Sequence, residues 1–133
     1  MKRDRGSVAA EMVLLTPILI ILLMLVVHAG RTGQGMNQLK HAADQGARAA
    51  SLVAQPRMSA VAQQAVIQDL STSGLSCVNP QVATNYERSS LSASVNVTVS
   101  CQTSNEGLSL LGAHTVSMAA SSTEVIDRYR AGG

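Results

Sequence analysis

This chain of 133 residues has no Phe and no Trp, and its only aromatic residues with ring faces to offer are Tyr86 and Tyr129. That scarcity excludes base-stacking platforms for nucleic acid and an aromatic-lined ligand pocket. Charge is also sparse, at 14% of residues, and unevenly placed. Lys2, Arg3 and Arg5 against Asp4 leave the first six residues at +2, while Ser7 onward carries seven basic and seven acidic residues. With no basic face left for phosphate, nucleic acid is not an expected partner. There are two cysteines and three histidines, too few and too scattered for a metal-ligand motif, so no metal or other cofactor is expected. No glycine-framed serine with His and Asp partners occurs, and nothing else marks an enzyme. The only acids near apolar surroundings are Glu11 and Glu124.

What the chain does have is apolar, and concentrated. From Met12 to Gly30 there are nineteen residues without a formal charge, mostly Leu, Ile, Val and Met. As a helix that run spans about 30 Å of hydrocarbon. Three readings fit it: a cleaved secretory signal, a plain anchor, or the N-terminal helix of a pilin-like subunit. Val27-His28-Ala29 would serve as a signal cleavage site, although the run is longer than most signal cores. A plain anchor explains the length but gives no reason for Glu11. An ionisable group at membrane depth costs several kcal/mol and is retained for a purpose, unless it sits at the headgroups and snorkels to water.

A pilin-like reading supplies the purpose. Glu11 is the fifth residue after Gly6. A cut after Gly6 would create a positive amine at Ser7, and the carboxylate of one subunit could neutralise the amine of the next. The stretch "DRGSVAAEMVLLTPILIILLMLVVHAGR" resembles the N-terminal signature of TadE-like proteins, pseudopilins of the tight-adherence (Flp-type) pilus system. Arg5-Gly6, the small residues Ser7 to Ala10, Glu11-Met12, Pro17 and Gly30-Arg31 carry the likeness, over about residues 4 to 54. Met12 departs from it, standing where an aromatic residue is common. The resemblance implies a bacterial cytoplasmic-membrane protein, crossing once with its N-terminus inside and its C-terminal domain outside, or placed in the pilus or at the cell surface. It implies a prepilin peptidase, other pilin subunits, and a secretion ATPase and platform as partners, besides membrane lipid. Basic residues stand on both sides of the span, but Lys2, Arg3 and Arg5 cluster on its N-terminal side, which agrees with that orientation.

The expected organisation is a leader at residues 1–6, a membrane helix and its continuation at 7–54, and a small extracytoplasmic α+β domain at 55–133. Pro17 lies inside the membrane run, where it removes one backbone donor and frees the carbonyl near Val13. The Thr16 hydroxyl or a neighbouring helix could take up that carbonyl. The result is either a passive kink or a hinge. After the span, "GRTGQG" has the wrong spacing and setting for a phosphate loop. Ala42, Gly46, Ala50 and Ala54 then form a stripe of small residues that admits another helix closely, most simply the protein's own second helix.

That second helix is expected from about Arg57 to Leu70, with Met58, Val61, Ala62, Ala65, Val66 and Leu70 on one face and "STSG" as its stop. From Leu91 to Cys101 apolar and polar residues alternate, as in a half-buried strand. Weaker strand patterns cover Gln81 to Tyr86 and Thr115 to Ile126. The fold class is therefore α+β: a long N-terminal helix, a second helix and a small antiparallel sheet. Cys101 points to the core side of its strand and Cys77 falls in the loop after the second helix. In an exported chain they can bridge, closing a loop of about 25 residues and adding ~2–4 kcal/mol; the competing reading is two buried free thiols. Asn96-Val97-Thr98 matches a glycosylation sequon by chance within a strand. "GLSLLG", Gly107 to Gly112, either tucks under the sheet or meets a neighbouring subunit. The functional alternative to a pilin is a secreted or membrane-anchored binding domain whose apolar run serves only export or anchoring.

Overall fold

A computed structural model describes residues 5–104 and 115–127. Its elements are helix α1 (Arg5–Ser51), helix α2 (Gln55–Ser73) and strands β1 (Cys77–Arg88), β2 (Ala93–Ser104) and β3 (Thr115–Ile126). The chain divides into two compact units, Met1–Gln34 and Gly35–Gly133.

In the first unit, α1 buries almost nothing. Its large apolar side chains from Met12 to Val27 are each between 48% and 72% exposed. The helix forms because Leu, Ile and Met propagate it well, and because lipid, where present, leaves the backbone no other partner. It is long and apolar enough to cross a membrane.

In the second unit, the end of α1 turns its small residues inward. Leu39, Ala42, Ala43, Ala47 and Ala50 are all fully buried. Its last turn tightens through Leu52 N–H to the Ala49 carbonyl and Val53 N–H to that of Ala50, and Ala54 is extended just before α2. The expected continuation to residue 54 therefore ends at Ser51. Helix α2 buries Met58, Ala62, Val66 and Leu70, every fourth residue, leaving Val61 and Ala65 half-covered. It outlasts the expected stop. The hydroxyls of Ser71, Thr72 and Ser73 donate to the carbonyls of Gln68, Asp69 and Leu70 within the helix. Gly74, left-handed at φ 72°, ends it.

The three strands form an antiparallel meander in the order β1-β2-β3. Val95, Val97, Val99 and Cys101 of the central strand point to the helices and are nearly or fully buried, each valine contributing about 1.5–3 kcal/mol by its removal from water. Three details differ from the sequence expectation. Strand β1 begins at Cys77, not Gln81, so Cys77 is a strand residue and not a loop residue. Its pairing shifts between Val78 and Gln81, where Asn79 (φ 51°) and Pro80 together oppose Cys101. Leu91 is 85% exposed in the β1–β2 turn and does not belong to β2. There the Ser89 hydroxyl accepts from the N–H groups of Leu91 and Ser92, and the Ser89 N–H donates to the Ser92 carbonyl. That closes the turn before the alternation begins at Ala93.

Candidate membrane and assembly site

Gly6 and Ser7 lie in the first turns of α1. Glu11 is exposed and one helical turn beyond Ser7, so the two positions share a face. A chain starting at Ser7 would place the Glu11 carboxylate in the second turn, near the positive end of the helix dipole. Among the described residues no ion pair reaches Glu11.

Pro17 is inside α1. The Thr16 hydroxyl donates to the carbonyl of Met12 at 2.6 Å. This corrects one expectation: the hydroxyl bonds one residue earlier than the carbonyl that Pro17 frees. A threonine turned back onto the fourth residue before it shares an acceptor already used by the helix, which loosens that turn. Two perturbations, a missing donor and a shared acceptor, thus fall on adjacent residues.

In the second unit, Cys77 and Cys101 form a disulfide with Cα atoms 5.5 Å apart. Cys77 pairs directly with Thr103, two residues from Cys101 and on the same face, so the bridge runs diagonally across β1 and β2. The small-residue stripe does what its simplest reading requires. At Gly46, an added Cβ would meet Val66 of α2 and Val97 of β2, so hydrogen alone fits. Ala54, the last of that stripe, is exposed before α2.

His41 faces Asp69 with Nδ1 3.1 Å from Oδ2, joining α1 to α2. Gln38 Nε2 donates to the Ser73 carbonyl at 3.0 Å and holds the same two helices one turn further along α2, at its C-terminal end. Glu124 is paired with Arg48 (3.6 Å), which also meets Asp44 (3.3 Å), while the Ser122 hydroxyl donates to Asp44. Sequence reasoning missed this network. Its one legible part was the four-residue spacing of Asp44 and Arg48; the contribution of β3 required the fold. In the sequon, Asn96 Nδ2 donates to the Thr123 hydroxyl and the Thr98 hydroxyl donates to Asn96 Oδ1, so both are engaged within the sheet. His114 and the "GLSLLG" stretch lie outside the described residues. Among the described residues, no three His, Cys, Asp or Glu side chains are grouped so as to hold a metal ion.

Comparison with known proteins bears on the first of these regions. Residues 6–48 match the model of the family described as TadE-like protein. No curated protein and no solved structure matches the chain. The match begins at Gly6 and takes in Glu11, Pro17, the whole exposed apolar run and the Gly46 contact. Over residues 6–48, the segment that holds the exposed apolar helix, the chain is similar to the TadE-like proteins.

Proposed function

We propose that this protein is a pseudopilin or minor pilin that takes part in assembling a tight-adherence type pilus. A prepilin peptidase removes residues 1–6, freeing the amine of Ser7. The apolar helix holds the subunit in the cytoplasmic membrane, with its N-terminus inside and the α+β domain outside. Glu11, at the edge of the hydrocarbon, is costly while unpaired. Pairing with the Ser7 amine of a neighbouring subunit offsets that cost and favours docking. The role is structural and not enzymatic.

The observation that carries this reading is that the TadE-like match at residues 6–48 takes in a helical run, Met12 to Val27, whose large apolar side chains are all exposed. Among the described residues, no ion pair reaches the acid of that helix. The deciding experiment is the mature N-terminus, read by intact mass of the membrane fraction. A chain beginning at Ser7 supports the proposal. A chain beginning at Gly30 assigns the run to a secretory signal, and an uncut chain makes it a plain anchor.

A further inference from the structure

The two cysteines of the disulfide differ in exposure. Cys101 is in the central strand and only 3% exposed. Its direct partner on β3 is Met118, also buried, and on its β1 side lies the bridge itself. Cys77 is the first residue of an edge strand and half-buried. It stands just before the Asn79–Pro80 irregularity, where regular pairing with β2 is interrupted. Cys77 packs against the core but keeps part of its surface open to water, whereas Cys101 is covered from β3 by Met118 and from β1 by the bridge.

We propose that Cys77 is the entry thiol for oxidation of this protein by a disulfide-bearing oxidant, and that Cys101 is the resolving thiol. In the first step the Cys77 thiolate attacks one sulfur of the oxidant. A mixed disulfide forms on Cys77 and the oxidant's first thiolate leaves. In the second step the Cys101 thiolate attacks Cys77 Sγ, the Cys77–Cys101 bond forms and the second thiolate leaves. Two protein thiols are oxidised, one disulfide is reduced to two thiols, and the two protein protons pass to solvent or to the departing thiolates. The second step is the slow one, because Cys101 is buried in the central strand and is reached only through the mixed disulfide on Cys77. The same asymmetry resists reversal. An external thiolate attacks Cys77 Sγ in preference, and the Cys101 thiolate it expels stays beside the mixed disulfide and re-closes the bridge. The inference is independent of the pilus reading, since it concerns the folded domain alone.

Two measurements on the full-length chain in detergent micelles test it. In the first, native disulfide-bonded protein is exposed to reduced glutathione, quenched with iodoacetamide, and the glutathione adduct is located by peptide mass. In the second, reduced protein receives a short pulse of oxidised glutathione before an acid quench. Both should place the adduct on Cys77 in about tenfold excess over Cys101. In the second, Cys101→Ala should retain the fast adduct, while Cys77→Ala should react about tenfold more slowly. Comparable labelling of the two cysteines, or preference for Cys101, in either measurement overturns the proposal.

Discussion

A methyl group on Gly46 would stand 2.6 Å from Cγ2 of Val66, and 3.4 Å from the backbone carbonyl of Ala62. Helix α1 thus touches α2 at a point where hydrogen is the only side chain that fits. Gly46→Ala should destabilise the domain by about 1–3 kcal/mol through overpacking, although alanine is the better helix former. Thermal unfolding followed by circular dichroism should show a lower Tm. Gly33→Ala, where an added Cβ meets nothing within 4 Å, should not lower that Tm. A Gly46→Ala protein as stable as the parent would mean the two helices can separate freely.

Processing and assembly should come apart genetically. Gly6→Val should block removal of the leader, so the intact mass keeps residues 1–6. Glu11→Val should be cut like the parent and yet fail in assembly, because the proposed pairing places its carboxylate's role after the cut. Loss of the leader from the Gly6→Val protein would place the cleavage site elsewhere.

The Cys77–Cys101 bridge closes a sequence separation of 24 residues. Removing it, as Cys77→Ala with Cys101→Ala, should cost about 3 kcal/mol, which is a large part of the stability of so small a domain. Urea denaturation of the double variant should show an earlier midpoint. An unchanged midpoint would show that the core carries the fold without the crosslink.

Pro17→Leu restores a backbone donor beside Thr16, whose hydroxyl already bonds the Met12 carbonyl. The variant should insert and be processed normally but assemble pili poorly, because the segment from Ser7 to Pro17 can no longer reorient by itself. Counting surface pili by electron microscopy decides it. Normal piliation would leave Pro17 a passive feature of the helix.

Arg48 meets Asp44 and Glu124 at 3.3 and 3.6 Å on an exposed surface. Pairs of this kind are worth little, so Arg48→Ala should destabilise by no more than about 1 kcal/mol. A larger loss on thermal unfolding would show that the network is cooperative.

Where side-chain period governs, the fold was legible. Strand β3 runs from Thr115 to Ile126 as its alternation implies, and the α2 face centred on Met58, Ala62, Val66 and Leu70 is the buried one. Boundaries shifted where local hydrogen bonding overrides pattern. The hydroxyls after Leu70 read as a helix stop because serine and threonine compete for backbone groups, yet here they satisfy carbonyls inside the helix and only Gly74 ends it. Pro80 hid the start of β1, since a proline argues against a regular ladder, and it is admitted only because the pairing shifts there. Leu91 was drawn into the alternation by its apolarity alone. In the candidate site, Gly6, Glu11 and Pro17 stand out by residue type, because each is anomalous in its setting. The link from Arg48 to Glu124 was illegible, since it joins residues far apart in sequence through an unremarkable surface pair.

The position of the crosslink has a mechanical consequence. Tension applied to the apolar end of α1 enters the domain at Gly35, on the helix that supplies Leu39, Ala42, Ala43, Ala47 and Ala50 to the core. The covalent loop spans Cys77 to Cys101 only, so neither α1 nor α2 lies within it. A load carried through the N-terminal helix is therefore borne by non-covalent contacts, those around Gly46 above all, and the disulfide protects the hairpin without sharing the strain. Whatever becomes of those contacts, β1 and β2 stay joined.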